Sequence, residues 1–331
     1  MADTERWRVL AQKIADETLF PNAPELDRGR QSPRANLDLL AAEGFYGIAA
    51  PPELGGLGFG AYDVIADVVI ALAGGCLTTT FVGLQHFSPV MSVAASPSSE
   101  IRDTWLGPLC RGERRAGIAL AGLRPGPAQV RIEPVAGGFL VSGETAWVTG
   151  WGLIDTLQVA GRDHDDVIHF LLLDAVESPT LTVGATDLLA VQASNTVTVR
   201  FDDHFVPADR LTHSQSYAQW SAQDSFGSSL NGFLALGVAS RCISLLGPGP
   251  LGDELVRARM GLLSAEPAGI PAARSRASLL AVKAATTLVV QTGSRSVLTD
   301  QHAQRLYREA GFLLVFGTRP TIKAELLRQL G

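Results

Sequence analysis

The chain has 331 residues, of which 46% are hydrophobic and only 18% carry a charge. This proportion of apolar side chains is enough for a large buried core, so a mainly disordered chain is excluded. The 27 Lys and Arg against 33 Asp and Glu give a net charge of −6. We expect no sequence-independent nucleic-acid binding from an acidic chain without a long basic run.

The cysteines and histidines predict neither a disulfide framework nor a metal site. Cys76, Cys110 and Cys242 lie far apart and form no CxxC pair, and no histidine has a partner at ligand spacing. We therefore expect a reduced, cytoplasmic setting. The charged N-terminal segment lacks the apolar stretch of a signal peptide. Polar and charged residues interrupt the most apolar stretches, so no membrane span is expected.

Hydrophobic residues recur at helical spacing in residues 1–113, which predicts an N-terminal helical domain. A Pro/Gly loop at 49–60, AAPPELGGLGFG, interrupts the pattern. A helix from Ala61 to about Ala73 follows, with Tyr62 and Ile65 on its apolar face. Taken alone, the loop is more simply a tight connection between helices than a ligand-binding loop.

Short β-branched and aromatic runs alternate with turns in residues 114–213, which predicts a middle antiparallel β-barrel or sandwich domain. Helical spacing returns in residues 214–331 and predicts a C-terminal helical bundle. Its first helix includes LNGFLALGVASRCISLL (230–246), and GPGPLGD (247–253) ends it. The predicted fold class is therefore α+β, with a β domain between two helical domains.

Trp147 and Thr149 stand at the end of a predicted strand, where alternation would place both side chains on one face. An indole beside a hydroxyl donor can bind a flat heteroaromatic ring. The indole packs on the face of the ring, and the hydroxyl donates a hydrogen bond to its edge. A Trp buried in a β core is the simpler interpretation when this strand is considered alone.

Five segments, in order over nearly the whole chain, resemble the signature motifs of the acyl-CoA dehydrogenases. They are GFYGIAAPPELGGLG (44–58), WLGPLCRGE (105–113), GGFLVSGETAWVTGWGLIDTLQVAGR (137–162), SNTVTVRFDDHFVP (194–207), and RLYREAG (305–311) followed by FGT (316–318). The resemblance implies the same three-domain fold, FAD bound between the β domain and the C-terminal helices, and a coenzyme A thioester as substrate. In the family reaction a carboxylate takes the α proton while the flavin takes the β hydride.

The resemblance implies that Trp147, Thr149, Gln291 and Gly293 contact FAD. Other parts of the family's flavin site are altered in this sequence. Leu123 stands where the family has the threonine that bonds the flavin ring. Gln129 replaces a serine, and the segment that reaches the FAD pyrophosphate with an arginine is replaced by GPGPLGD.

The family's catalytic base is also missing from its usual place. Phe316 stands where a glutamate usually precedes the "GT" of the C-terminal motif. The nearest acids, Glu309 and Glu325, are about two helical turns away. The alternative base position reads Gly-Ser-Ser at 227–229, with Asp224 as the only nearby acid and a weak candidate. The catalytic residue is therefore unknown from the sequence.

Three functions remain open on this reading. The chain could be the short, base-lacking subunit of a heteromeric bacterial acyl-CoA dehydrogenase of lipid or steroid side-chain catabolism. It would then pair with a full-length subunit, and FAD would be shared across the interface or absent from the isolated chain. It could instead be a self-sufficient enzyme, as a homodimer or tetramer, with Asp224 or Glu309 as a displaced base. The third function is a flavin-dependent hydroxylase on the same fold.

Overall fold

The computed structural model describes residues 2–331, except for the side chains of residues 2, 3, 59 and 223–228. Helices precede the sheet and follow it. The helices before the sheet are α1 (Ala2–Ile14), α2 (Phe20–Asp27), α3 (Arg34–Ala42), α4 (Tyr62–Gly75), α5 (Leu77–Gln85), α6 (Phe87–Ala94), α7 (Ser99–Ile101) and α8 (Gly107–Cys110). Those after it are α9 (Tyr217–Leu246), α10 (Pro250–Leu263), α11 (Ile270–Thr292), α12 (His302–Val315) and α13 (Pro320–Leu330).

The predicted α+β class is confirmed, and the first helix after the sheet is longer than its apolar pattern indicated. Helix α9 has 30 residues, and it begins where the hydroxyl of Ser216 accepts a hydrogen bond from the N–H of Gln219. It ends at Gly247, whose φ of +86° only glycine adopts without strain. Pro250 then opens α10, where its fixed φ suits a first helical turn.

Eight strands form one sheet between these helical segments. They are β1 (Ala116–Ala119), β2 (Val130–Val135), β3 (Gly138–Val148), β4 (Thr156–Arg162), β5 (Val167–Asp174), β6 (Leu181–Ala185), β7 (Val197–Pro207) and β8 (Leu211–Ser216). The strand order is β6-β7-β3-β2-β4-β5-β8, with β1 beside β4. The sequence predicted an antiparallel sheet, but the sheet is not entirely antiparallel. Strands β1 and β2 both pair with β4 in the parallel direction, β1 with its first residues and β2 with its last. All other pairs are antiparallel.

The helices that precede the sheet in sequence and those that follow it share one hydrophobic core. Buried residues of α4 and α5 belong to the same cluster as buried residues of α9, α11 and α12. The ring of Tyr62 on α4, for example, packs edge-on against Phe233 of α9, with 5.8 Å between centroids. The sheet has a separate core, built from alternate residues of β2, β3, β4, β5 and β7.

Residues 229–246 of α9 are long and apolar enough to cross a membrane, and no other helix of the described chain is. However, 56% of this stretch is buried inside the protein. A core helix has the same composition, so the stretch is weak evidence for a span.

Helices α4 and α9 cross so closely that a side chain would not fit at Gly237. A Cβ built there would lie 2.6 Å from the Cβ of Ala73 and 2.6 Å from the carbonyl oxygen of Ile70. We expect Gly237→Ala to lower the free energy of unfolding by about 1–3 kcal/mol through overpacking. Gly311→Ala is the control, because Gly311 lies inside α12 with nothing near its Cβ position. At this position the alanine should raise the free energy of unfolding by about 0.5–1 kcal/mol, measured by denaturant titration. Equal effects of the two substitutions would contradict this packing.

His86 joins the last helix of the N-terminal segment to the first strand. Its Nδ1 accepts a hydrogen bond from the backbone N–H of Ala116 at 2.9 Å. Its Nε2 lies 3.0 Å from the carbonyl oxygen of Leu109 and must donate to it. The ring is therefore neutral. Burial lowers its pKa from the ordinary 6.5 to about 4.

Because of His86, we expect the free energy of unfolding to fall in mild acid. Because the folded-state pKa lies below the unfolded one, the stabilisation is complete above about pH 6.5 and disappears as the pH falls towards 4. The loss should reach roughly 3 kcal/mol. Denaturant titrations at several pH values should show a flatter dependence for His86→Gln than for the wild type. His164→Gln removes a largely exposed histidine whose pKa is raised by its hydrogen bond with Glu133, so this variant should not flatten the dependence. An unchanged slope in His86→Gln would refute the assignment.

Candidate functional site

Phe316, at the position where the resemblance expects a base, lies in an aromatic cluster. It caps the C-terminal end of α12 and precedes α13. Its ring stacks on Phe312 with 5.4 Å between centroids, and it meets Phe81 of α5 edge-on at 4.8 Å. Phe81 and Phe312 also touch, at 5.3 Å. We call these three residues the aromatic cluster, and its surroundings are apolar where the family reaction requires a carboxylate.

A buried arginine fixes the backbone of this segment. Arg274 of α11 is 2% exposed and donates to the carbonyl oxygens of Leu313 and Phe316 at 3.3 and 3.2 Å. Burial lowers its pKa to about 10, so it stays protonated at neutral pH. The cation therefore satisfies the orphan carbonyls at the C-terminal end of α12, where positive charge is favourable. Gly317 follows with a φ of +61° and lies against the Asn231 amide.

The two carboxylates nearest in sequence to Phe316 are held in ion pairs. Glu309 is 2% exposed, and its Oε1 accepts a hydrogen bond from Arg305 at 2.6 Å. Burial raises the pKa of Glu309, although Arg305 opposes the shift. Glu325 accepts hydrogen bonds from Arg328 and Gln329, and these hold its pKa at about 2. Neither group is arranged as a free base.

The alternative base position lies on α9 and carries a hydroxyl. Ser229 is buried, and its Oγ lies 2.7 Å from the hydroxyl of Tyr62 on α4. The side chain of Asp224 lies outside the described residues. Its role as a displaced base therefore stays a prediction.

Trp147 and Thr149 do not follow the simple alternation that the sequence predicted. A bulge between Thr145 and Val148 shifts the register of β3 against β7, and Trp147 has a φ of +66°. As a result the indole is 52% exposed while Thr149 is 2% exposed. The interpretation of Trp147 as a buried core residue is wrong for this reason. A β-bulge turns a side chain to a new direction, and here it presents the indole to solvent.

The hydroxyl of Thr149 belongs to a buried polar group at the start of β7. Its Oγ1 lies 3.1 Å from the Oγ1 of Thr196, which lies 2.8 Å from the Oγ of Ser194. The backbone is joined as well, because the N–H of Gly150 donates to the carbonyl oxygen of Ser194 at 2.9 Å. The sequence did not single out Ser194 or Thr196, whose place beside Thr149 depends on tertiary pairing.

The same region concentrates backbone strain. Val191 and Asn195 have φ values of +53° and +50°, so with Trp147 they account for three of the five positive φ values among non-glycine residues of the described chain. A β-branched residue in this conformation is a genuine outlier. Such strain costs about 1–3 kcal/mol per residue and is concentrated at functional sites. Residues 147–152 and 188–196 therefore form a candidate functional edge, and the family motifs include 147–152 and 194–196 but not 188–193.

Gln291 and Gly293 lie at the C-terminal end of α11, where both are exposed. Gly293 ends the helix with a φ of +69°. Among the hydrogen bonds and ring contacts of the described residues, none joins this pair to Trp147, Thr149 or the aromatic cluster.

Three positions that the resemblance assigns to the FAD site carry residues that do not fit this role. Leu123 is 1% exposed and packs into an apolar cluster, so it offers no donor to a flavin ring. Gln129 is exposed. Residues 247–253 contain no arginine that could reach a pyrophosphate. Trp147 offers an exposed indole to a flat ring, whereas the hydroxyl of Thr149 is buried and lies within hydrogen-bond distance of Thr196. No group of three or more His, Cys, Asp or Glu among the described residues could hold a metal ion.

The family model for the acyl-CoA dehydrogenase N-terminal domain matches residues 1–113. Benzylmalonyl-CoA dehydrogenase of Aromatoleum aromaticum is 28% identical over 235 residues, which cover 69% of this chain and 62% of that protein. The chain spans 62% or less of the first curated relatives it matches. In fold it is similar to the glutaryl-CoA dehydrogenase complex with glutaryl-CoA, with a TM-score of 0.85 at 16% identity over 100% of this chain and 96% of that one.

Butyryl-CoA dehydrogenase from Megasphaera elsdenii gives a TM-score of 0.84 at 18% identity, over 99% of this chain and 97% of that one. At such identities the structural likeness shows the fold alone. The named relatives and the N-terminal match point to the same family as the sequence motifs. Residues 1–113 match the N-terminal domain of the acyl-CoA dehydrogenase family, and the chain is similar to named members of that family.

Proposed function

We propose that this chain is the base-lacking subunit of a heteromeric acyl-CoA dehydrogenase. It would take part in the α,β-dehydrogenation of a lipid or steroid side-chain acyl-CoA thioester without itself removing the α proton. The observation that carries the proposal is the aromatic cluster, in which Phe316 packs against Phe81 and Phe312 at the position of the base. An apolar aromatic side chain cannot accept a proton from the weakly acidic α C–H.

The incomplete flavin site supports a partner of full family length. That partner would supply the carboxylate and the groups that bind the FAD phosphates. This chain would supply the exposed indole of Trp147 and the edge formed by residues 147–152 and 188–196. An exposed tryptophan on a strained bulge is suited to burial against a ligand or a second subunit, because large aromatic residues anchor interfaces.

A self-sufficient enzyme is less well supported by the described carboxylates. Glu309 would have to leave a fully buried pair with Arg305, and this would leave the arginine without its counter-ion.

We also propose that the three domains are residues 1–113, 114–213 and 214–331, and that the protein acts in the cytoplasm.

Co-expression tests the proposal. The chain should be purified alone, and again with a full-length family member encoded beside it, and FAD per chain and thioester oxidation with an artificial electron acceptor should be measured. We expect no retained flavin for the chain alone, and flavin with turnover for the complex. Flavin-dependent thioester oxidation by the lone chain would refute the proposal, as would full activity of the partner without it. Oxygen consumption driven by NAD(P)H in the lone chain would favour a hydroxylase instead.

Two variants of the complex separate the indole from general surface effects. Trp147→Ala should raise the dissociation constant of FAD about tenfold and so lower FAD occupancy, as expected for the loss of one aromatic contact. Phe205→Ala removes another exposed aromatic side chain of the sheet and should leave FAD occupancy unchanged. Equal occupancy in both variants would remove Trp147 from the shared site.

A further inference from the structure

Three polar side chains form a hydrogen-bonded row on β5 and β8, outside the site described above. His169 of β5 lies directly opposite Ser214 of β8 in the strand register, and its Nδ1 is 2.8 Å from the Oγ of Ser214. Its Nε2 is 3.0 Å from Oδ2 of Asp163, which follows β4 in the turn towards β5. We call these residues the Ser214–His169–Asp163 row.

The hydrogen bonds of the row determine which atom carries each proton. Oδ1 of Asp163 accepts the backbone N–H groups of Asp165 and Val167, both at 2.9 Å. Burial opposes the charge of Asp163, but these bonds and the one to His169 outweigh it and hold its pKa below the usual value. The carboxylate can only accept, so Nε2 of a neutral His169 donates to it. Nδ1 then has a free lone pair and accepts the hydroxyl proton of Ser214.

The row is exposed at one end and shielded at the other. Ser214 is exposed, whereas the side chains of His169 and Asp163 are only 10% and 7% exposed. The ring of Phe139 covers His169, with 5.2 Å between centroids. Because β8 is the last strand in the sheet order, Ser214 can be approached from solvent. A hydroxyl, a base and an orienting carboxylate are the three groups that activate a nucleophilic serine. Relative to the usual triad the two ring nitrogens are exchanged, because Nδ1 of His169 faces the serine and Nε2 faces the carboxylate.

We propose that Ser214 is a nucleophile activated by His169 and oriented by Asp163, and that it accepts acyl groups from activated esters or thioesters. The Ser214 Oγ forms a bond to the acyl carbon while its proton moves to Nδ1 of His169. The bond from the acyl carbon to the leaving sulfur or oxygen breaks, and the leaving group takes that proton. Water then cleaves the serine ester by the same path, so the net reaction is hydrolysis. Helix α9 begins three residues beyond Ser214, and its positive end favours negative charge developing nearby.

A fluorophosphonate probe tests this proposal without flavin, a partner subunit or acyl-CoA. The protein is treated with the probe, the labelled residue is identified by peptide mass spectrometry, and the labelling rate is measured. We expect labelling at Ser214, its loss in Ser214→Ala, and a rate about 100-fold lower in His169→Gln, as general-base assistance predicts. Ser244→Ala is the control, because Ser244 is an exposed serine on α9 outside the row, and this variant should react like the wild type.

Two results would overturn the proposal. One is labelling of Ser214 no faster than that of Ser244, and the other is a rate that His169→Gln leaves unchanged. Asp163→Asn provides a second variant if His169→Gln does not fold, and it should also slow the labelling. With p-nitrophenyl acetate, the wild type should gain an acetyl group on Ser214, whereas Ser214→Ala should not. These results are independent of the proposed dehydrogenase function, because neither reagent requires a redox step.

Discussion

Replacing Glu309 with leucine should lower the free energy of unfolding by about 3–5 kcal/mol. The side chains of Arg305 and Glu309 are 1% and 3% exposed and meet at 2.6 Å, one turn apart on α12. Leucine fills a similar volume but leaves Arg305 as a buried charge without its carboxylate. Because this helix packs into the core shared by both helical segments, the whole helical part of the protein should unfold at a lower denaturant concentration.

A double substitution separates the charge from the packing. Arg305→Met combined with Glu309→Leu replaces both partners with apolar groups and should recover most of the lost stability. Glu325→Leu is the control, because Glu325 pairs with Arg328, whose side chain is 70% exposed. This variant should unfold at nearly the same denaturant concentration as the wild type. If Glu309→Leu alone were neutral, the pair would not be buried as described.

Phe316→Glu should place a carboxyl group in the aromatic cluster and cost about 2–4 kcal/mol at neutral pH. Contact with Phe81 and Phe312 should raise the pKa of the new carboxyl above that of an exposed glutamate. Since the folded-state pKa is then the higher one, the loss is smallest at low pH and grows as the pH rises through the folded value. Denaturant titrations at about pH 4.5 and about pH 8 measure the difference.

Phe316→Leu is the matched control, because leucine keeps an apolar side chain at this position. It should lose about 1 kcal/mol from reduced packing, and the loss should not depend on pH. A pH-independent effect of Phe316→Glu, equal to that of the leucine variant, would show that position 316 faces water. The aromatic cluster would then not fill the place of the base.

The periodicity of the sequence predicted the order of helices, sheet and helices because burial patterns are local. The same local signal did not predict the bulge that exposes Trp147, since alternation assumes an unbroken strand. It also gave no sign of the positive φ of Val191, which surrounding contacts impose on a residue that disfavours it.

The sequence also did not reveal which side chains from distant parts of the chain form hydrogen bonds. Ser214 and His169 are 45 residues apart in sequence and meet only because β5 and β8 are neighbours. The spacing of Arg305 and Glu309 is helical and can be read directly, but their burial depends on α9 and α11 packing around α12. The replacement of the expected glutamate by Phe316, in contrast, can be read from the motif alone, because the comparison of one motif position needs no tertiary information.

The most direct test of the central claim is to mix the purified chain with excess FAD and then with a series of acyl-CoA thioesters, in the absence of oxygen and of any partner. We predict that the flavin absorbance stays unchanged with every thioester, because Phe316 stands where the family motif has the carboxylate that takes the α proton. Bleaching of the flavin by any thioester, at one flavin per chain, would contradict the account.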